Sequence, residues 1–98
     1  MKAIRHVMFH GRVQGVGFRA CVEDAASLRG LEGWVRNRRS GSVEAVLAGE
    51  AADVDAVIET CRTGPPSARV DRIDQREATA SELALRGSIA FAVLHTVL

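Results

Sequence analysis

The chain contains no tyrosine, only two prolines and a single lysine, Lys2, among thirteen basic residues. Without a lysine beyond position 2, the GxxxxGK[ST] of a Walker A loop is excluded. Cysteine is also scarce. Cys21 and Cys61 are too few for a disulfide framework and have no CxxC spacing for a metal. No charge of one sign dominates, because the net charge is +1, which gives no global case for nucleic acid. The four aromatics (Phe9, Phe18, Trp34, Phe91) lack the K/R-G-F/Y-G/A-F pattern of an RNA recognition motif. The longest apolar run, residues 89–94, is far short of the roughly 18 residues a membrane span requires. Residues 1–6 lack the apolar block of a signal peptide, so a cytoplasmic chain with no membrane partner is expected. Apolar residues at 47% and charged residues at 26% exclude a disordered or collagen-like chain, and 98 residues predict one domain, 1–98.

Basic charge is concentrated early. Residues 1–39 carry eight basic and three acidic side chains, whereas residues 40–98 carry five and nine. All but one of the bases are arginine, whose planar fork suits bidentate contacts to phosphate or carboxylate. An anion site in the first half is the expectation, with a solvated basic face as the alternative.

Hydrophobic periodicity predicts the elements. Residues 2–10 form a strand with Val7 and Phe9 on one face and His6, Met8 and His10 on the other. Three glycines between Gly11 and Gly17 punctuate the chain. From Phe18 the period turns helical, through Val22, Ala25 and Leu28, with Glu23 and Asp24 near the helix start and Gly30 as its stop. A second strand, 31–39, turns at Ser40-Gly41 into a third, 42–48. A second helix follows at 51–63, with Val54, Val57, Ile58 and Cys61 on one stripe, ended by Gly64-Pro65-Pro66. A charged edge strand lies at 69–76, residues 77–87 are loop-like, and Ile89, Phe91, Val93, His95 and Val97 alternate as a closing strand. The order is that of an α+β, ferredoxin-like βαββαβ sandwich with an additional C-terminal strand. Both helices are expected on one face of a mainly antiparallel sheet.

Gly11-Arg12-Val13-Gln14-Gly15-Val16-Gly17-Phe18-Arg19 sits between a strand and a helix N-terminus. Glycines there allow backbone N–H groups to converge, and the helix dipole adds positive potential, so the segment makes an anion cradle that Arg19 completes. The alternative is a plain turn with an exposed arginine. Gly15-x-Gly17-x-x-Ala20 also matches a dinucleotide fingerprint, but the chain is too short for that sheet and Asn37 stands where an acid is needed.

GRVQGVGFR at 11–19, Gly33-Trp34-Val35-Arg36-Asn37, Gly41-Ser42-Val43-Glu44 and Gly64-Pro65-Pro66-Ser67-Ala68-Arg69-Val70 together resemble the acylphosphatase family. The resemblance runs from about residue 5 to 76. It is to the free-standing members rather than to the domains that begin a larger carbamoyl-transferring maturation protein. It implies hydrolysis of carboxyl-phosphate anhydrides, with acyl phosphate and phosphate as ligands. Arg19 matches the family's substrate-binding arginine and Asn37 its water-orienting asparagine. Gln14, Gly15, Val16, Gly17 and Phe18, with Arg19, match the phosphate cradle. Two features depart from the family pattern. Ala20-Cys21 replaces larger side chains, and Arg38-Arg39-Ser40 makes the hairpin unusually basic.

The chemistry suits this inventory. Neither cysteine has the arginine of a cysteine-phosphatase loop six residues on, and Arg5-His6 lacks a histidine-phosphatase glycine. His6 and His10 lie roughly 13 Å apart along a strand at about 3.3 Å per residue, too far to share a metal. Neither metal nor cofactor is expected. Each histidine is expected at a strand surface, both cysteines in helix stripes facing the sheet, and Glu44 toward solvent. Arg36, Arg38 and Arg39 suggest either steering of anionic substrates or a solvated hairpin, and Trp34 either a wall of the site or a packed strand aromatic. An acyl phosphate releases a carboxylate of pKa roughly 4 and requires no general acid. A non-catalytic anion-binding module is the principal alternative, and a monomer is the default.

Overall fold

The structure is a computed structural model that describes residues 1–96. Strand β1 (Lys2–Arg12) leads through a short loop into helix α1 (Phe18–Leu28). Strands β2 (Glu32–Asn37) and β3 (Val43–Glu50) form a hairpin, and helix α2 (Ala51–Thr63) returns the chain to strand β4 (Arg69–Glu77). A one-turn helix α3 (Ala80–Leu83) runs into a 3₁₀ turn (Ala84–Arg86) before a short strand β5 (Phe91–Val93). The sheet order is β4-β1-β3-β2-β5, antiparallel except for the parallel β2–β5 pair. This is the βαββαβ sandwich the periodicity predicts, with its extra strand.

The helices pack on one face, over a core that includes Val7 and Phe9 of β1, Val35 of β2, Val43, Ala45 and Leu47 of β3, and Val54, Val57, Ile58 and Cys61 of α2. Phe18, the first residue of α1, meets Phe9 edge to face with ring centroids 5.0 Å apart. That pair fixes the start of α1 on the sheet, and burying a ring of this size stabilises the fold by about 1.5–3 kcal/mol. The end of α2 presses on the same ring. A Cβ at Gly64 would sit 3.0 Å from Phe18 Cε1, so only the smallest residue fits there without displacement.

Four local expectations change. The buried stripe of α1 runs Phe18, Val22 and Ala26, while Leu28 is exposed, because the helix rotates it past the sheet. Glu23 and Asp24 lie beyond the first turn, where the dipole effect has faded. Strand β1 extends through Gly11 and Arg12 over a register shift opposite β4, so the first glycine of the motif is a strand residue. Its Cβ position is filled by the Arg69 backbone, which explains the glycine without invoking the cradle. The closing strand is only Phe91–Val93: His95 lies outside it and Val97 lies outside the described residues. Gly30 behaves as expected. The Gly30 and Leu31 N–H groups donate to the Ser27 and Ala26 carbonyls, a Schellman closure.

The loop-like stretch 77–87 contains the least expected structure. Thr79 and Glu82 form a reciprocal capping box, and Arg76 grips the Glu82 carboxylate at 2.7 Å. Together the Arg76 hydrogen bond and the Thr79 amide hold that carboxyl at about 2. This cap covers the face of the sheet opposite the large helices. There Trp34, Val46 and Ala92 are buried against Ile4, Ala78, Leu83 and Leu94. The Trp34 indole Nε1–H donates to the Glu82 carbonyl at 2.7 Å.

Candidate active site

The loop between β1 and α1 is held from beneath and open above. Val13 is buried and Val16 is packed against the core, while Gly15 and Gly17, on either side of Val16, are exposed. Both glycines have left-handed backbones, φ 74° and 80°, which a side chain would strain by about 1–2 kcal/mol each. Gly17 is the N-cap of α1 and offers no side-chain acceptor to the first-turn N–H groups. Those donors point out of the helix at the positive end of its dipole, a ready site for an anion.

Beside them lies a cleft of about 310 Å³ lined by Val13, Gly15, Gly17, Phe18, Arg19, Ala20, Glu23, Asn37 and Val93. Arg19 enters it from the first turn of α1 and Asn37 from the C-terminal end of β2. The Asn37 Oδ1 is buried and has no hydrogen-bond partner among the described residues. A buried acceptor left unsatisfied costs about 1–3 kcal/mol, and the residue that carries it lines the cleft. Gly15, Gly17, Phe18, Arg19 and Asn37 thus meet at one place.

Gln14 and Val16 are in the loop but do not line the cleft. The Gln14 amide turns toward the β2–β3 hairpin, donating from Nε2 to the Arg38 carbonyl at 2.7 Å and to the Ser42 carbonyl at 2.9 Å. Four lining residues escaped sequence reasoning. Glu23 follows Arg19 by one helical turn, a spacing that could have placed it on the same face. Ala20 follows Arg19 directly but carries no functional group, and Val13 and Val93 carried no signal separable from core packing.

The basic hairpin divides: Arg39 is exposed to solvent, Arg36 and Arg38 are held by Glu44, and none of the three lines the cleft. Arg36 donates to Glu44 Oε1 at 2.7 Å, Arg38 reaches the same oxygen at 3.2 Å, and His6 Nε2 lies 2.7 Å from Glu44 Oε2. Glu44 is therefore not solvent-facing. It is 7% exposed, on the central strand β3, beneath three partners. Burial pulls its carboxyl upward, but the His6 and Arg36 hydrogen bonds and the Arg36 and Arg38 charges outweigh that and hold it below the usual glutamate range. His6 is likewise buried rather than at the surface, while His10 is half-buried between Ser42 and Asp74. Trp34 belongs to the opposite face, with the Arg36 guanidinium 4.6 Å over its ring.

Cys61 is fully buried in the helix–sheet core, and Cys21 of α1 packs against that core as a half-buried residue. Burial, reinforced by the neighbouring Cys21, pushes the Cys61 thiol up to about 12, which leaves it no nucleophilic thiolate at neutral pH. No group of three His, Cys, Asp or Glu side chains suited to a metal occurs among the described residues.

Known proteins share this fold and much of this sequence. The acylphosphatase family model matches residues 5–89. An acylphosphatase of Bradyrhizobium diazoefficiens is 56% identical over 98% of each chain. Among solved structures, the acylphosphatase from Bacillus subtilis superposes with a TM-score of 0.82 at 34% identity, covering 96% of this chain and 99% of that one. The full-length HypF structure in its phosphate- and nucleotide-bound form also gives 0.82, at 31% identity over 98% of this chain but only 12% of its own. With the family model spanning most of the sequence and a near full-length relative above half identity, this chain belongs to the acylphosphatase family, hydrolases that act on acyl phosphates.

Proposed function

We propose that this chain hydrolyses the carboxyl–phosphate bond of small acyl phosphates by in-line attack of water, without a covalent intermediate. The backbone N–H groups of the loop from Gln14 to Phe18 and the Arg19 guanidinium hold the phosphoryl oxygens. Asn37 Oδ1 accepts a hydrogen bond from the attacking water and so aims its lone pair at phosphorus. As the new P–O bond forms, the bond to the acyl oxygen breaks and a carboxylate leaves with the electron pair. The water's proton passes to the phosphoryl group itself, since an amide is too weak a base to take it. The observation that carries the proposal is the meeting, in one cleft, of an uncapped helix N-terminus, Arg19 and Asn37, whose Oδ1 has no partner among the described residues.

Positioning and charge neutralisation are the main requirements of phosphoryl transfer to water when the leaving group is good. An acyl phosphate supplies such a group, with pKa roughly 4, whereas an alkoxide's conjugate acid lies near the 15.7 of water. Glu23 is the cleft's only carboxyl among the described residues. It follows Arg19 by one helical turn, and a carboxylate leaving group asks no proton of it. Efficient turnover is therefore expected on acetyl or benzoyl phosphate, intermediate rates on phosphates of acidic phenols, and negligible rates on alkyl phosphates. Measuring kcat/KM across the three classes tests this. Comparable rates on alkyl and acyl phosphates would show that a general acid operates and overturn the mechanism.

A further inference from the structure

The Gln14 side chain is the one member of the loop whose amide faces away from the cleft, and its geometry is specific. Both N–H bonds of a single Nε2 are used, one toward the Arg38 carbonyl at 2.7 Å and one toward the Ser42 carbonyl at 2.9 Å. Those carbonyls bracket the turn of the β2–β3 hairpin, where the Arg38 N–H also donates to the Ser42 carbonyl at 2.8 Å. Arg38 directly follows Asn37. Among the described residues, no other side-chain hydrogen bond joins the 13–17 loop to this hairpin.

Only a primary amide of this length provides two donors on one nitrogen without adding charge. A carboxylate would present oxygen to both carbonyls, and a hydroxyl would satisfy one of them. The two halves of the cleft come from different elements, the cradle from the β1–α1 loop and Asn37 from the end of β2. A catalytic geometry split in this way depends on whatever fixes the distance between its parts, because a displacement of an ångström is enough to cost a large factor in rate.

We infer that Gln14 is a positioning residue for hydrolysis, whose side chain clamps the hairpin to the phosphate cradle and thereby sets Asn37 at the distance from which its water can reach phosphorus. That side chain touches neither substrate nor water. The inference rests on the assignment of Asn37 as the water-orienting group.

The test is a double-mutant cycle on benzoyl phosphate with Gln14→Met, which keeps the length and volume and removes the amide, together with Asn37→Ala and the double variant. Gln14→Met is expected to lower kcat by about tenfold to a hundredfold, while inhibition by inorganic phosphate, which reads the cradle and Arg19 alone, changes less than about twofold. In the Asn37→Ala background the same substitution should have no further effect on kcat, because a clamp has nothing left to position. Thermal unfolding establishes that each variant is folded; if Gln14→Met is not, Gln14→Glu replaces it with the same expectations for kcat. An undiminished kcat, a loss of phosphate inhibition matching the loss of kcat, or an additive double variant overturns the inference while leaving Asn37 in its role. A normal kcat in Asn37→Ala alone overturns the Asn37 assignment, and the clamp falls with it.

Discussion

The two βα crossovers of this fold are copies in outline and opposites in use. In the first, residues 13–17 intervene between β1 and α1, and the helix begins at a glycine with no side-chain cap. In the second, β3 ends at Glu50 and α2 begins at Ala51 with no residue between. There the Ala51 N–H is taken by the Met1 carbonyl at 2.7 Å, and the Glu50 carboxylate binds the chain's amino terminus at 2.6 Å and Lys2 at 3.6 Å. The same supersecondary unit thus offers its helix dipole to a cleft at one end and has that end occupied by the protein itself at the other. A helix N-terminus becomes a site only where the chain spends extra residues to keep it unpaired.

The contrast breaks most severely at Arg19. Arg19→Ala should cut kcat/KM by at least about 10²–10³ and abolish inhibition by inorganic phosphate, with the melting temperature little changed. A folded variant retaining near wild-type turnover would remove the functional difference between the crossovers.

A smaller effect is expected at Glu44, which joins β1 to the hairpin through His6, Arg36 and Arg38. Glu44→Gln should destabilise the fold by about 1–3 kcal/mol, because it leaves buried donors facing a neutral amide. Its carboxyl is depressed in the folded state, so its ionic contribution is complete above the ordinary value of 4.5 and disappears as pH falls through the lower folded value. Chemical denaturation should show a gap between wild type and variant that is constant from neutral pH to about 5 and narrows below 4.5. A gap that widened on acidification would mean that the protonated carboxyl is the form the fold prefers.

Least of all should change at the second crossover. Glu50→Gln should leave kcat/KM on benzoyl phosphate unaltered and move the melting temperature only slightly, since it loosens an exposed pair at the start of the chain. A marked loss of activity there would show that the two ends communicate.

What the sequence makes legible follows the same division. The cradle could be read because glycine, arginine and the switch from a strand period to a helical one are local signals, all within 11–19. Asn37 could be read only through family resemblance, since nothing local distinguishes it from a hairpin asparagine. Glu44 was misplaced because alternation assigns one face of a strand to solvent. Strand β3 is central, and both of its faces are covered from Val43 to Ala48. Gln14 was legible as part of the loop, but not as a link to residues 38 and 42, because sequence spacing does not show which way an amide turns. The cap at 79–86 was missed for another reason. One turn of helix is too short to generate a period, although Thr79 and Glu82 have the spacing of a capping box.

That cap has a spectroscopic consequence. Trp34 is the only tryptophan of the chain, and its indole N–H is bonded to the Glu82 carbonyl while its ring lies under the Arg36 guanidinium. Emission from this fluorophore therefore reports on the small outer layer, not on the helix–sheet core where Phe9 and Phe18 are silent at its wavelengths. If the cap lifts before the core melts, the emission will shift red at a lower denaturant concentration than the far-ultraviolet circular dichroism changes. Without any added label, the protein carries its own gauge of whether its two layers come apart together.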